Sequence, residues 1–91
     1  MSKKVFVYTM FGCPYCAELK DMLDEEGIVY TDRDCDEYEM QYEILKNKTD
    51  NDYVPAIEIR DDEKMVKRFL VPERDFEELE HAVELIKKYI K

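Results

Sequence analysis

Cys13 and Cys16, three positions apart, are the residues of this 91-residue chain whose type and spacing most directly suggest chemistry. Two thiols nearly one helical turn apart can carry out disulfide exchange in two steps, one attacking and the other resolving. The attacking species is a thiolate, and the amino terminus of a helix, with its unpaired N–H groups, stabilises that charge. Cys13 stands where it would cap a helix opening at Pro14, whose missing N–H is one of the groups left unpaired in a first turn anyway. Cys16 comes one turn later, on the part the helix should cover. Cys13 is therefore expected to attack and Cys16 to resolve, with Tyr15 placing a large aromatic side chain beside the thiols.

The flanking sequence supplies the elements this placement needs. Val5-Phe6-Val7-Tyr8 is a β-branched and aromatic run ending at the turn-prone Phe11-Gly12, which predicts a buried strand delivering Cys13 from its carboxyl end. From Pro14 to Glu26 the positions Ala17, Leu19, Met22 and Leu23 form a helical stripe, stopped by Gly27. Ile28-Val29-Tyr30-Thr31 predicts a second strand, parallel to the first because a crossover helix separates them. A second helix is expected over Glu37 to Lys46, on the stripe Tyr38, Tyr42 and Leu45. The alternating run Ala56 to Arg60, a turn at Asp61-Asp62-Glu63, and the run Met65 to Leu70 predict a β-hairpin. After Pro72, the recurrence of Phe76, Leu79, Val83, Ile86 and Ile90 predicts a last helix, acidic early and basic late as its dipole favours. The order β-α-β-α-β-β-α implies an α/β domain over 1–91, a four-stranded mixed sheet flanked by three helices.

Composition narrows the partners. Hydrophobic residues make up 45% and charged residues 41%, with two Gly and three Pro, which suits a globular domain. The balance of 14 basic against 23 acidic residues gives a formal net charge of -9, so neither nucleic acid nor an anionic membrane surface is an expected partner. No apolar run approaches a membrane span, and the stretch after Met1-Ser2-Lys3-Lys4 is too short for a signal core. Three cysteines are an odd count for a disulfide-stapled scaffold. A cytoplasmic location, a monomer and catalytic thiols are the expectations.

The Cys13-Pro14-Tyr15-Cys16 sequence, after a strand and at the start of a helix, resembles the active site of glutaredoxins, within the thioredoxin-fold superfamily. Tyr53-Val54-Pro55 is similar to that family's Thr-Val-Pro segment. The resemblance implies that Pro55 is a cis proline opening the third strand, with the Val54 backbone pairing with bound substrate. It also implies an oxidoreductase acting on protein disulfides or glutathione mixed disulfides, with no tightly bound cofactor. Two departures stand out. Many family members carry Lys or Arg where this chain has Met10. The family's Gly-Gly and polar pair before the last helix is replaced by Leu70-Val71-Pro72-Glu73-Arg74-Asp75, which hinders close backbone approach, and the acidic surplus opposes anionic glutathione. Arg74 or Lys48 is available to compensate. Thioredoxins usually show Trp-Cys-Gly-Pro-Cys and a buried acid near the place of Val7, whereas this chain has no Trp. Glutathione and a thioredoxin-reductase-type enzyme both stay open as the electron donor.

Other residues read more simply. Cys35, flanked by Asp34 and Asp36, is expected to be an inert thiol. His81 falls off the apolar stripe of the last helix and is expected in solvent. The rival reading is a structural zinc or interaction module using Cys13, Cys16, Cys35 and His81, for which the ligand count suffices but the expected fold separates the ligands. Acidic runs such as Glu77-Glu78 read as a solvated face.

Overall fold

Between Lys3 and Thr9 (β1) the side chains of Val5 and Val7 bury on one face and those of Phe6 and Tyr8 on the other. A strand buried on both faces must lie inside a sheet covered by helices on each side. The computed structural model describes residues 3–91; Met1 and Ser2, which with Lys3 and Lys4 precede the stretch read above as too short for a signal core, lie outside the described residues. The elements that follow β1 are α1 (Pro14–Glu25), β2 (Thr31–Asp34), α2 (Glu39–Thr49), β3 (Ala56–Asp61), β4 (Val66–Leu70) and α3 (Leu79–Ile90). The sheet runs β2-β1-β3-β4, with β2 parallel to β1 and the other two pairings antiparallel. This is the expected mixed sheet with three helices, in the expected order.

Helices α1 and α3 share one face. Leu19 and Leu23 of α1 and Ala82, Val83 and Ile86 of α3 pack against Val5, Val7, Ile57 and Ile59. Each such Val, Leu or Ile side chain contributes about 1.5–3 kcal/mol on full burial. On the opposite face α2 lays Tyr42 and Leu45 over Tyr8, Ala56 and Val71. Phe6 belongs to the same cluster, and its ring is also covered by the guanidinium groups of Arg33 at 3.8 Å and Arg60 at 4.9 Å. Beside them the buried Glu58 accepts a hydrogen bond from the Tyr8 hydroxyl at 2.9 Å, and Arg33 Nη1 donates to that same hydroxyl at 2.7 Å.

Several boundaries differ from the expectation. The second strand is Thr31–Asp34, not Ile28 to Thr31. Gly27, at φ 70°, turns the chain off α1, and the Ile28 N–H closes back onto the Leu23 carbonyl, so Ile28 completes that turn while Val29 is 89% exposed. The strand is a polar edge strand, and its charged residues guard the open edge. Helix α2 begins two residues late because Asp34 organises the preceding turn, accepting the N–H of Asp36 at its side chain and of Glu37 and Tyr38 at its carbonyl. It runs on through Asn47 until Asp50 takes a left-handed conformation. Strand β4 starts at Val66 because Met65, at φ 57°, completes the hairpin turn. Phe76 belongs not to α3 but to the loop before it, where it is buried and bridges to Pro72.

Candidate active site

β1 ends at Thr9, and the turn Met10 to Gly12 brings the chain round to Cys13. Gly12 at φ 78° occupies the left-handed region, while the Cys13 N–H reaches back to the Met10 carbonyl. Cys13 is the N-cap of α1: its backbone is extended and its Sγ accepts the Cys16 N–H at 3.2 Å. That bond, together with the helix dipole, directs positive potential at one sulfur. Cys13 is half-exposed, whereas Cys16 is 2% exposed, and both are free thiols. Burial first, then hydrogen bonding to Cys13, pushes the Cys16 thiol up to about 12 against the opposing pull of the Met10 backbone.

The two cysteines line one cleft with Thr9, Met10, Lys20 and Asp32. Lys20 lies four residues after Cys16 and so shares its helix face. Asp32 accepts hydrogen bonds from Lys20 Nζ at 2.9 Å and Thr9 Oγ1 at 2.7 Å. Partial burial works to raise its carboxyl, and those two donors outweigh it and hold it below the usual carboxylate range. The sequence reading missed this pair. Its signal was the i, i+4 spacing of Lys20 from Cys16; the partner carboxylate was hidden by the misplaced second strand.

The other predicted site residues gather on the next groove. Pairing of Tyr8 with Ala56 sets Pro55 level with the end of β1, and the Val54–Pro55 peptide bond is cis. Tyr15, Val54 and Pro55 line a groove of about 520 Å³ that continues to Phe76 and the start of α3. Tyr15 faces solvent over most of its surface, and Phe11, two residues before Cys13, is 97% exposed. Where the family has Gly-Gly, the loop satisfies itself: Glu73, at φ 71°, donates its N–H to the Phe76 carbonyl at 2.7 Å, and the Asp75 carboxylate accepts the Val71 N–H. Arg74, one of the two cations offered above as compensation, binds the Phe69 carbonyl and Asp75 instead of entering the groove, and Lys48 does not line it either.

Cys35 follows β2, its N–H bonded to the Thr9 carbonyl at 2.8 Å and its side chain buried beside Tyr42. Burial first, then Asp34 and Asp36, pushes this thiol up to about 11. Cys13, Cys16, Cys35 and His81 do not converge: among the described residues no group of three or more His, Cys, Asp or Glu side chains is placed to share an ion.

Four buried groups, Cys16, Cys35, Tyr8 and Tyr42, have folded values raised to about 12, 11, 12 and 12 from ordinary values of 9.0 for the thiols and 10.0 for the phenols, burial being the leading cause in each. A raised acid stabilises the fold fully below its ordinary value, and that contribution is lost as pH climbs through the folded one. Urea midpoints should therefore stay level to about pH 9 and fall progressively above it. A midpoint unchanged at about pH 11 contradicts this account.

The glutaredoxin family profile matches residues 5–66. Among curated proteins, the chain is 36% identical over 55 residues to the N-acetyl-S-hydroxy-L-cysteine reductase of Bacillus subtilis (strain 168), covering 60% of this chain and 59% of that protein. It is 32% identical over 55 residues to Glutaredoxin 1 of Rickettsia felis, covering 58% of this chain and 54% of that protein. The matches thus span less than two thirds of either relative. In overall shape the chain is similar to the crystal structure of the thioredoxin-like protein BC3987, with a TM-score of 0.64, 21% identity, and coverage of 90% of this chain and 99% of that one. A point mutant of that protein gives a TM-score of 0.65 at 19% identity, covering 91% and 99%. Since the family profile takes in β1, the cysteine pair, the cis-proline segment and β3, the chain belongs to the glutaredoxin family and has the thioredoxin fold.

Proposed function

We propose that this chain is a dithiol thiol–disulfide oxidoreductase that reduces protein disulfides or glutathione mixed disulfides through a reversible Cys13–Cys16 disulfide. The observation that carries this reading is the Cys16 N–H resting on the Cys13 sulfur at the mouth of α1. Cys13 thiolate attacks one sulfur of the substrate disulfide; a Cys13–substrate bond forms, the substrate S–S bond breaks, and the departing thiolate takes a proton from solvent. Cys16 then gives up its proton and attacks Cys13 sulfur, releasing the second substrate thiolate. Two electrons have passed to the substrate, and an external thiol or reductase returns them to the Cys13–Cys16 disulfide. The cycle needs no bound organic cofactor and suits a reducing compartment such as the cytoplasm.

Likeness to the N-acetyl-S-hydroxy-L-cysteine reductase favours one further substrate form, a sulfenic acid. There Cys13 thiolate attacks the sulfenyl sulfur, the S–O bond breaks, and the expelled hydroxide takes a proton to become water, leaving the same mixed disulfide.

Two variants test the cycle. Cys13→Ser should lose essentially all reduction of a model disulfide. Cys16→Ser should accumulate a Cys13–substrate adduct, visible as added mass that dithiothreitol removes. Retained reductase activity in Cys13→Ser sinks the reading, and stoichiometric zinc in the reduced protein favours the metal-module rival. Offering the oxidised protein glutathione, and separately thioredoxin reductase with NADPH, identifies the donor by which one restores the two thiols.

A further inference from the structure

The groove beside the thiols has a chemical character that general thiol exchange does not require. Its apolar lining includes Tyr15, Val54, Pro55, Phe76 and Leu79. Its rim carries Glu18, Glu73, Glu77, Glu78 and Glu80, all exposed, and among the described residues no Lys or Arg lines it. Acidic residues at a helix start are ordinary companions of its dipole, and Glu77, Glu78 and Glu80 can be read that way. Glu18 and Glu73 cannot, since one lies within α1 and the other on the loop after β4. Carboxylates from three separate segments thus converge on one apolar trough.

A second observation bears on what lies in it. Val54, just before Pro55 and β3, makes no backbone–backbone hydrogen bond among the described residues through either its N–H or its C=O. An open donor and acceptor at the groove edge is the fitting an extended polypeptide uses to add itself as a short strand. Phe11, 97% exposed two residues before Cys13, adds exposed apolar surface to the thiol cleft itself.

We propose that this groove docks an extended polypeptide carrying Lys or Arg beside its disulfide cysteine, and that such protein disulfides are reduced in preference to anionic glutathione mixed disulfides. The proposal rests on the Cys13–Cys16 cycle above and adds its substrate class. The backbone pairs with Val54, apolar side chains lie on Tyr15 and Phe76, and the cations meet the carboxylate rim. Docking a cation there also relieves repulsion among the carboxylates themselves, whereas glutathione adds to it.

The test uses three peptides of equal length, each holding one cysteine as a mixed disulfide with thionitrobenzoate and flanked by Lys, Gln or Glu. Glutathione mixed disulfide, cystamine and uncharged hydroxyethyl disulfide complete the set. At low salt kcat/KM should fall from Lys to Gln to Glu, by about 30-fold or more in all, and the spread should shrink to within about threefold in about 0.5 M salt. The variant Glu73→Gln/Glu77→Gln/Glu78→Gln should lose the preference. The control Glu25→Gln/Glu63→Gln/Glu84→Gln, which removes the same charge away from the groove, should keep it.

Equal rates for the Lys and Glu peptides overturn the proposal. So does equal loss of preference in both variants, which makes the effect one of net charge, and so does glutathione mixed disulfide reacting as fast as the Lys peptide. Cystamine matching the Lys peptide overturns the polypeptide part. Inertness of every substrate, hydroxyethyl disulfide included, overturns the redox cycle as well and is thereby told apart from a failure of specificity.

Discussion

At about pH 7, iodoacetamide should place one label on the native chain, at Cys13, and three after unfolding in urea. The reactive form of a thiol is its thiolate. With Cys16 raised to about 12 and Cys35 to about 11, the thiolate share at neutral pH is on the order of one part in 10⁵ and one part in 10⁴ respectively. Both are also almost wholly covered, at 2% and 4% exposure, so the reagent meets them only after local opening. Cys13 is half-exposed, and its sulfur already accepts an N–H from the first turn of α1. Labelling of Cys13 should outpace the other two by about a thousandfold or more. Raising pH should speed the slow sites about tenfold per unit, since each unit multiplies their thiolate share by ten. Mass spectrometry of native and unfolded samples reads all of this directly. Comparable labelling of Cys16 in the native state would mean that the helix does not hold it back, and the division into attacker and resolver would fall. Cys35→Ser should leave the native count at one label.

The site residues were legible because each announces itself locally. Cys13, Pro14 and Cys16 follow an apolar run and open a helical stripe, and Val54-Pro55 precedes an alternating one; short-range rules suffice for both. The second strand was misread because Ile28-Val29-Tyr30 has the β-branched composition that propensity rewards, while the true strand, Thr31–Asp34, lies at the sheet edge where polar residues are favoured. Its placement depends on pairing of Phe6 with Thr31, a contact across the fold that no local window contains. The Lys20–Asp32 pair went unseen for the same reason. The Glu77-Glu78 run read as a solvated face, and it is exposed; what the run alone does not reveal is that Glu18 and Glu73 join it around one groove. Glu58 is the clearest case. Nothing in the alternation of Ala56 to Arg60 marks it as interior, yet it is buried, because Arg33 from the edge strand and Tyr8 from the centre enclose it.

Arg33→Met should destabilise the fold by about 3–5 kcal/mol, among the largest losses open to a single substitution outside the aliphatic core. The Arg33 and Glu58 side chains are only 12% and 5% exposed, with Nη1 and Oε1 3.5 Å apart and the Tyr8 hydroxyl hydrogen-bonded to both. Removing the cation leaves a buried carboxylate with one neutral donor, and removes the flat guanidinium that covers Phe6 at 3.8 Å. Against a total stability of about 5–15 kcal/mol for a domain this small, the shift in urea midpoint should be unmistakable. The double variant Arg33→Met/Glu58→Leu removes both charges and keeps most of the volume. It should recover the greater part of the loss, because desolvating the pair costs nearly what their attraction returns. Tyr8→Phe should cost less, about 1–3 kcal/mol, as it deletes one donor to Glu58 and leaves the ion pair standing. A double variant no more stable than Arg33→Met would show that packing over Phe6, and not charge compensation, is what Arg33 contributes. The proposed disulfide reduction, measured per folded molecule, should be unchanged in all three, since the network lies on the α2 side of the sheet, among β1, β2 and β3, and lines neither the thiol cleft nor the carboxylate-rimmed groove.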